Sequence, residues 1–190
     1  TYNFPQGRVT DHRIIAAMMG LARESFVPAN RQAVAYADGD IEIAPGRFLL
    51  EPMALAKLVQ LAEIRPEDRV LHIGAATGYG AAVLSALAQS VVAVECDPPL
   101  AAACRGRLSG IANITVKEGR LEAGAPQSGP YDVIVIEGRV AEVPAALLAQ
   151  LADGGRLVAV VGEQAVAKAQ VWTSHGGTSA VRQAFDLAVA

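Results

Sequence analysis

The fold of this chain is decided by one stretch, Val70-Leu71-His72-Ile73-Gly74-Ala75-Ala76-Thr77-Gly78-Tyr79-Gly80. The segment from Arg69 to Ile73 is short and apolar, which predicts a buried β-strand. The glycines after it predict a tight loop from Gly74 to Gly78, and small and apolar residues predict a helix from Tyr79 to Ala88. Such a loop lets a ligand approach the main chain closely and offers it the unpaired N–H groups of the helix start.

The glycine spacing separates several kinds of nucleotide site. A phosphate-binding P-loop is excluded because no Gly-Lys-Ser/Thr follows the strand. The dinucleotide pattern G-x-G-x-x-G requires a glycine where the chain has Tyr79, which disfavours an NAD-dependent oxidoreductase. The chain instead has Gly74 and Gly78 with Ala76 between them, a G-x-G-x-G spacing whose middle glycine is replaced. Taken alone, this spacing leaves open a tight turn that binds no ligand.

An acidic residue, Glu95, closes a second apolar stretch that begins at Val91, about 20 residues beyond the first glycine. A carboxylate at that position can accept hydrogen bonds from both hydroxyls of a ribose. The alternatives are a solvated acid at a strand end or a cap for the next helix, although Asp97 fits the capping position better. Together, the glycine loop and Glu95 favour a site for an adenosyl ligand.

Strands that are apolar throughout alternate with helices beyond residue 69, which predicts a doubly wound α/β domain with a mostly parallel sheet covered on both faces. Further strands are predicted at 91–95, 114–117, 132–136 and 156–161, helices at 98–108 and 143–151, and an antiparallel edge pair at 169–173 and 181–187. Upstream, the sequence predicts a helix from Thr10 or Asp11 to Gly20, an extended or looping stretch from Phe26 to Gly46, and a helix that starts at Pro52. We therefore divide the chain into a small helical and looping extension, residues 1–51, packed on an α/β domain, residues 52–190.

Composition excludes several classes of protein. The 190 residues are 52% hydrophobic and 18% charged, which is a globular composition and not a disordered one. A net charge of −3 disfavours nucleic acid as a partner. The two cysteines, Cys96 and Cys104, exclude a disulfide scaffold, and the histidines show no metal-ligand spacing. No apolar run approaches the ~18 residues that span a bilayer, and the first residues lack an apolar signal segment, so we expect a cytoplasmic protein without a membrane partner.

The glycine loop with Glu95 resembles the class I S-adenosylmethionine-dependent methyltransferases. Further segments fall in the order seen in the protein-L-isoaspartate O-methyltransferases: Arg23 to Pro28, Ala35 to Asp38, Glu51 to Met53, Val70 to Tyr79, Tyr131 to Ile134 and Gly154 to Val158. The resemblance runs from about Val9 to the end of the chain, and its N-terminal segments are the more specific part. It implies a Rossmann-like methyltransferase fold with a seven-stranded sheet, S-adenosylmethionine as cofactor, and methyl transfer to the free carboxylate of an isoaspartyl residue in a protein or peptide.

The resemblance also implies roles for particular residues. Residues 74–78 would wrap the methionine and sulfonium end of the cofactor, Glu95 would hold the ribose, the Gly119-Arg120 turn would border the adenine, and residues 48–52 would face the substrate carboxylate. Glu137, at the end of a predicted strand, either lines the site or is solvated. The expected cofactor-binding residues are His72, Gly74, Ala75, Ala76, Thr77, Gly78, Glu95, Cys96, Arg120, Leu121 and Glu137, and the expected substrate-binding residues are Leu49, Leu50 and Glu51. No general base and no metal are expected, because a carboxylate acceptor is already ionised at neutral pH.

Four positions depart from the family's usual pattern. His72 stands where an acidic residue is usual, and Ala76 adds a methyl group where the cofactor approaches the backbone. Arg120 replaces an acceptor for the adenine amino group with a donor, and Leu50 replaces a hydroxyl residue near the substrate. Two functions therefore stay open. One is a methyltransferase acting on isoaspartate or another acceptor, and the other is a degenerate member that binds the cofactor weakly or without catalysis.

Overall fold

The computed structural model describes residues 9–164 and 166–190. Its helices are α1 (His12–Met19), α2 (Pro52–Leu61), α3 (Tyr79–Ser85), α4 (Pro98–Leu108) and α5 (Ala145–Leu148). Its strands are β1 (Ile41–Ala44), β2 (Arg47–Leu49), β3 (Arg69–Ile73), β4 (Ser90–Glu95), β5 (Ile114–Glu118), β6 (Tyr131–Val140), β7 (Leu151–Val161), β8 (Val166–His175) and β9 (Thr178–Ala188). None of the helices in these two ranges has the length and apolar character needed to cross a membrane.

Seven of the described strands form the central sheet, in the order β5-β4-β3-β6-β7-β8-β9. The five strands from β5 to β7 are parallel, and β8 and β9 add an antiparallel edge. This arrangement confirms the predicted fold class. The strand order reverses at β3, whose neighbours are β4 on one side and β6 on the other. In sheets of this kind the ligand site lies at that switch point, beyond the carboxyl ends of the strands.

Local sequence signals set the boundaries of the helices next to this switch point. Helix α4 begins after Asp97, whose carboxylate accepts a hydrogen bond of 2.9 Å from the Leu100 N–H, as its capping position predicted. Helix α2 begins at Pro52, which lacks an N–H and therefore suits the first helical turn. Helix α3 begins after Gly78, whose φ of 101° is readily adopted only by glycine.

The chain before α2 shares its hydrophobic core with the α/β part. Ile14, Phe26 and Leu49 are buried in the same apolar cluster as residues of α2 and α3. A boundary between residues 51 and 52 stays a prediction, and residues 1–8 of the proposed extension lie outside the described residues.

One local prediction was wrong and another was incomplete. The helix predicted at 143–151 is only the short α5, because Leu151 already pairs with Tyr131 in the sheet and the Gln150 carbonyl accepts the Tyr131 N–H at 2.9 Å. The stretch predicted as extended or looping chain up to Gly46 contains β1 and its connection to β2, an antiparallel pair separate from the main sheet that was not predicted. Strands of four and three residues are too short to show a clear alternation of apolar and polar side chains.

The first turn of α3 leaves no room for a side chain at Gly80, and this can be tested through stability. A methyl group at this position overlaps the Glu137 carboxylate and lies 3.0 Å from the His72 Cε1. We expect Gly80→Ala to lower the free energy of unfolding by about 1–3 kcal/mol, measured by urea denaturation.

Gly106→Ala is the matched control. Gly106 is exposed in α4, and nothing lies within 4 Å of an added methyl group. Alanine has the higher helix propensity, so this variant should be more stable by about 0.5–1 kcal/mol. Equal changes in the free energy of unfolding of the two variants would show that the atoms around Gly80 leave room for a methyl group.

Candidate active site

A cavity of about 490 Å³ opens at the switch point, beyond the carboxyl ends of β3 and β6. Its wall includes Gly74 after β3, Leu121 after β5, Glu137 in β6, and Arg47 and Leu50 from the segment of β2. The volume lies within the range of small-molecule sites in proteins, about 300–1,000 Å³. The sheet topology therefore brings together residues that are far apart in sequence.

The turn after β3 brings bare backbone to this cavity. Gly74 has a φ of 82°, and a Cβ there would lie 2.9 Å from the Glu137 carbonyl oxygen, so no other residue fits without a shift. The N–H groups of Gly74 and Ala75 both donate to the Val94 carbonyl, at 3.0 and 3.1 Å, which fixes the turn against β4. Ala76 has a φ of 51°, a left-handed conformation that glycine adopts more readily.

The far side of the turn is bound to the rest of the protein. Thr77 donates its hydroxyl to the Phe26 carbonyl at 2.6 Å, within the buried core. A Cβ at Gly78 would meet Leu108 and Cys104 at 2.9 and 3.0 Å. Burial raises the pKa of the Cys104 thiol to about 12, so this thiol is a protonated packing group. Thr77 and Gly78 therefore hold the turn in place from behind.

Glu95 ends β4 directly beside the glycine turn, and its side chain is completely buried. Its carboxylate accepts hydrogen bonds from the N–H groups of Ala76, Cys96 and Asp97, at 2.7, 2.8 and 2.9 Å. Burial alone would raise the pKa of Glu95, but the bonds from Arg47 and from the backbone outweigh it and lower the pKa below its ordinary value. Glu95 is therefore a fixed negative charge beside the glycine turn, and it does not itself line the cavity.

Arg47 forms a two-point ion pair with this carboxylate. Its Nη1 and Nη2 donate to Oε1 and Oε2 of Glu95, each at 2.6 Å. The side chain of Arg47 is 25% exposed and also lines the cavity. Sequence analysis missed this residue because nothing in the sequence links position 47 to position 95.

A second carboxylate in the cavity wall, Glu137, is also paired inside the protein. Glu137 Oε2 lies 2.8 Å from His72 Nε2, and both side chains are almost fully buried. His72 Nδ1 has no hydrogen-bond partner among the described residues. The position within β3 that is usually acidic in the family this chain resembles is thus occupied by a histidine that contacts an acid on the neighbouring strand.

The segment expected to face the substrate is held by buried polar contacts. Leu49 and Leu50 are each 1% exposed, and the Leu50 carbonyl accepts a 2.6 Å hydrogen bond from Arg23. The Arg23 guanidinium is buried and lies 4.7 Å from the centre of the Tyr79 ring. Glu51 turns the other way, since its carboxylate accepts the Gly39 N–H at 3.0 Å. Of the three expected substrate-binding residues, only Leu50 lines the cavity.

Of the eleven expected cofactor-binding residues, Gly74, Leu121 and Glu137 line the cavity and the other eight do not. Two of these eight, Cys96 and Arg120, point away from it. Cys96 is exposed, and its Sγ lies 3.6 Å from Arg47 Nη1. The Arg120 side chain is 82% exposed and pairs with Glu122 at 2.5 Å. The next residue, Leu121, does line the cavity. The turn after β5 therefore reaches the site through Leu121 and Glu122, and the guanidinium of Arg120 is engaged at the surface.

Comparisons with known proteins identify the family. The model of the protein-L-isoaspartate(D-aspartate) O-methyltransferase family matches residues 3–186. The chain is 40% identical over 155 residues to the protein-L-isoaspartate O-methyltransferase of Methylorubrum populi, covering 81% of this chain and 73% of the relative. It is 42% identical over 156 residues to that of Methanoculleus marisnigri, covering 81% and 71%.

Solved structures agree with the family match. A protein-L-isoaspartate O-methyltransferase superposes with a TM-score of 0.83 at 25% identity, over 95% of this chain and 61% of that chain. A Plasmodium falciparum protein described as the same enzyme, solved with S-adenosyl-L-homocysteine, gives a TM-score of 0.80 at 17% identity, over 95% and 89%. The present chain thus spans about three fifths of the first of these two chains. The chain belongs to the protein-L-isoaspartate(D-aspartate) O-methyltransferase family.

Proposed function

We propose that this protein binds S-adenosylmethionine and transfers its methyl group to the free carboxylate of an isoaspartyl residue in a protein or peptide. The family match supports the reaction, and one feature of the site carries the proposal. This feature is the buried carboxylate of Glu95, held by three backbone N–H groups beside the glycine turn at the switch point. A carboxylate fixed in this way suits two adjacent ribose hydroxyls.

The residues around the cavity fit an adenosyl cofactor. Gly74 in the wall would supply bare backbone for its methionine end, and Leu121 in the wall an apolar surface for its base. Glu95, buried beside the glycine turn, would accept from its ribose after Arg47 is displaced. When bound, the cofactor supplies an electrophilic methyl group on a sulfonium. His72, Thr77 and Gly78 support these groups from behind, through Glu137, Phe26 and the core.

The proposed reaction makes modest demands on the protein. The acceptor carboxylate has an ordinary pKa near 4 and is ionised at neutral pH without a general base. A bond forms between a carboxylate oxygen and the methyl carbon while the carbon–sulfur bond breaks. The protein contributes alignment of these three atoms and exclusion of water. The buried, apolar Leu50 in the cavity wall serves the second task.

Three observations favour a second function, a family member that binds the cofactor weakly or uses a different acceptor. Both oxygens of Glu95 are already bonded to Arg47, so a ribose must displace an internal partner. Ala76 has a left-handed conformation that glycine adopts more readily, and Leu50 offers no hydroxyl to an acceptor.

A cytoplasmic location and the lack of nucleic-acid and membrane partners belong to the proposal as well.

Titration with S-adenosylhomocysteine by calorimetry tests cofactor binding. We expect micromolar affinity in the wild type and at least tenfold weaker binding in Glu95→Ala, because hydrogen bonds to a charged group contribute about 1.5–3 kcal/mol. Glu118→Ala is the matched control, since Glu118 lies opposite Glu95 in the register of β4 and β5 but pairs with the exposed Arg105. No heat and no thermal shift at millimolar ligand would instead support the non-binding alternative.

A second variant tests the acceptor. We expect the wild type to methylate an isoaspartyl peptide slowly and Leu50→Ser to do so faster, since a hydroxyl can donate to the acceptor carboxylate and leucine cannot. Leu49→Ser is the control, because Leu49 is equally buried but does not line the cavity. Wild-type turnover already at the level of other family members would contradict the expectation.

A further inference from the structure

We propose that Arg47 is an acceptor-binding residue that the cofactor releases. In the structure, Arg47 is bonded to Glu95, the carboxylate proposed to bind the ribose. Once the ribose displaces it, Arg47 binds the carboxylate of the methyl acceptor. The inference rests on the proposed function and adds to it a residue, a binding order and a reason for selectivity toward anionic acceptors.

Glu95 has no hydrogen-bonding capacity left while Arg47 is bound to it. Its two oxygens accept five hydrogen bonds, of which three come from backbone N–H groups and two from Arg47. An ionised carboxylate offers about four lone-pair sites. No acceptor capacity remains for a ribose diol, so Arg47 and the ribose exclude each other.

Arg47 can leave Glu95 while the fold stays intact. The three backbone donors stay with Glu95, so its carboxylate keeps three hydrogen bonds after the guanidinium departs. Arg47 begins β2, which pairs only with β1 among the residues that the structure describes, and the main sheet therefore does not restrain it through strand pairing. With a quarter of its side chain exposed, it can rotate into the cavity without breaking the fold.

The released Arg47 guanidinium can bind the acceptor carboxylate in the cavity. Arg47 lines the same cavity as Leu50, which cannot hydrogen-bond an acceptor. A guanidinium binds carboxylates through two parallel hydrogen bonds, and the proposed acceptor is a carboxylate. The other charged groups of the cavity are Arg139, which donates to the Glu163 carbonyl, and the acids Glu122 and Glu137, which repel an anionic acceptor. Arg47 therefore supplies the attraction that places the acceptor near the methyl donor.

The proposal is tested by two affinities that must change in opposite directions. We expect Arg47→Ala to bind S-adenosylhomocysteine about tenfold more tightly, because the competing internal partner is gone. The same variant should bind an isoaspartyl peptide, titrated into the protein saturated with S-adenosylhomocysteine, about tenfold more weakly. Arg47→Lys, which keeps the charge but not the two-point geometry, should lie between wild type and alanine in both titrations.

Arg105→Ala is the matched control, since Arg105 forms an exposed ion pair with Glu118 and lies outside the cavity wall. It should leave both affinities unchanged. If Arg47 had a purely structural role, Arg47→Ala would bind both ligands more weakly, and that result overturns the proposal. Unchanged affinity for S-adenosylhomocysteine in Arg47→Ala overturns the competition, and unchanged peptide affinity overturns the acceptor role. If wild type and Arg47→Ala are folded yet neither binds S-adenosylhomocysteine, the proposed function fails and this inference fails with it.

Discussion

The buried negative charge of Glu95 is the constraint on which the site depends. A carboxylate removed from water is costly unless hydrogen bonds and an opposite charge compensate it. Here the glycine turn, the start of α4 and the β1–β2 hairpin each supply donors. Because this compensation lowers the pKa of Glu95 in the folded state, it stabilises the fold above the unfolded pKa and is lost as the pH falls through the lowered value.

The sequence was sufficient for the central fold because its signals are local and repeated. Strands that are apolar throughout, such as β3, alternate with helices whose starts carry Asp97 or Pro52, and this order indicates a parallel sheet covered by helices. The short α5 and the β1–β2 hairpin were missed because their lengths are set by tertiary pairing. Leu151 joins the sheet through Tyr131, and no local propensity reveals that partner.

The site was predictable only in part, for a related reason. Glu95 was predictable because β3, the glycine turn, α3 and β4 follow one another along the chain. This order places the end of β4 beside the turn, about 20 residues later in the sequence. Arg47 is 48 residues away from Glu95, and an ion pair across that separation has no sequence pattern. The side chain of Arg120 was expected at the adenine, but it pairs with Glu122 two residues later and leaves Leu121 to face the cavity.

The acids at the site are paired within the protein. His72 is bonded to Glu137, and Arg47 is bonded to Glu95, so both acids have internal partners. A site arranged in this way is stable before any ligand arrives, because neither acid depends on a ligand for a hydrogen-bonding partner. A ligand must therefore offer donors that replace an existing pair, which lowers its apparent affinity and makes binding depend on how completely it satisfies Glu95. The site is therefore selective for ligands with two adjacent donors. For any other ligand, the Arg47–Glu95 ion pair stays the more favourable state.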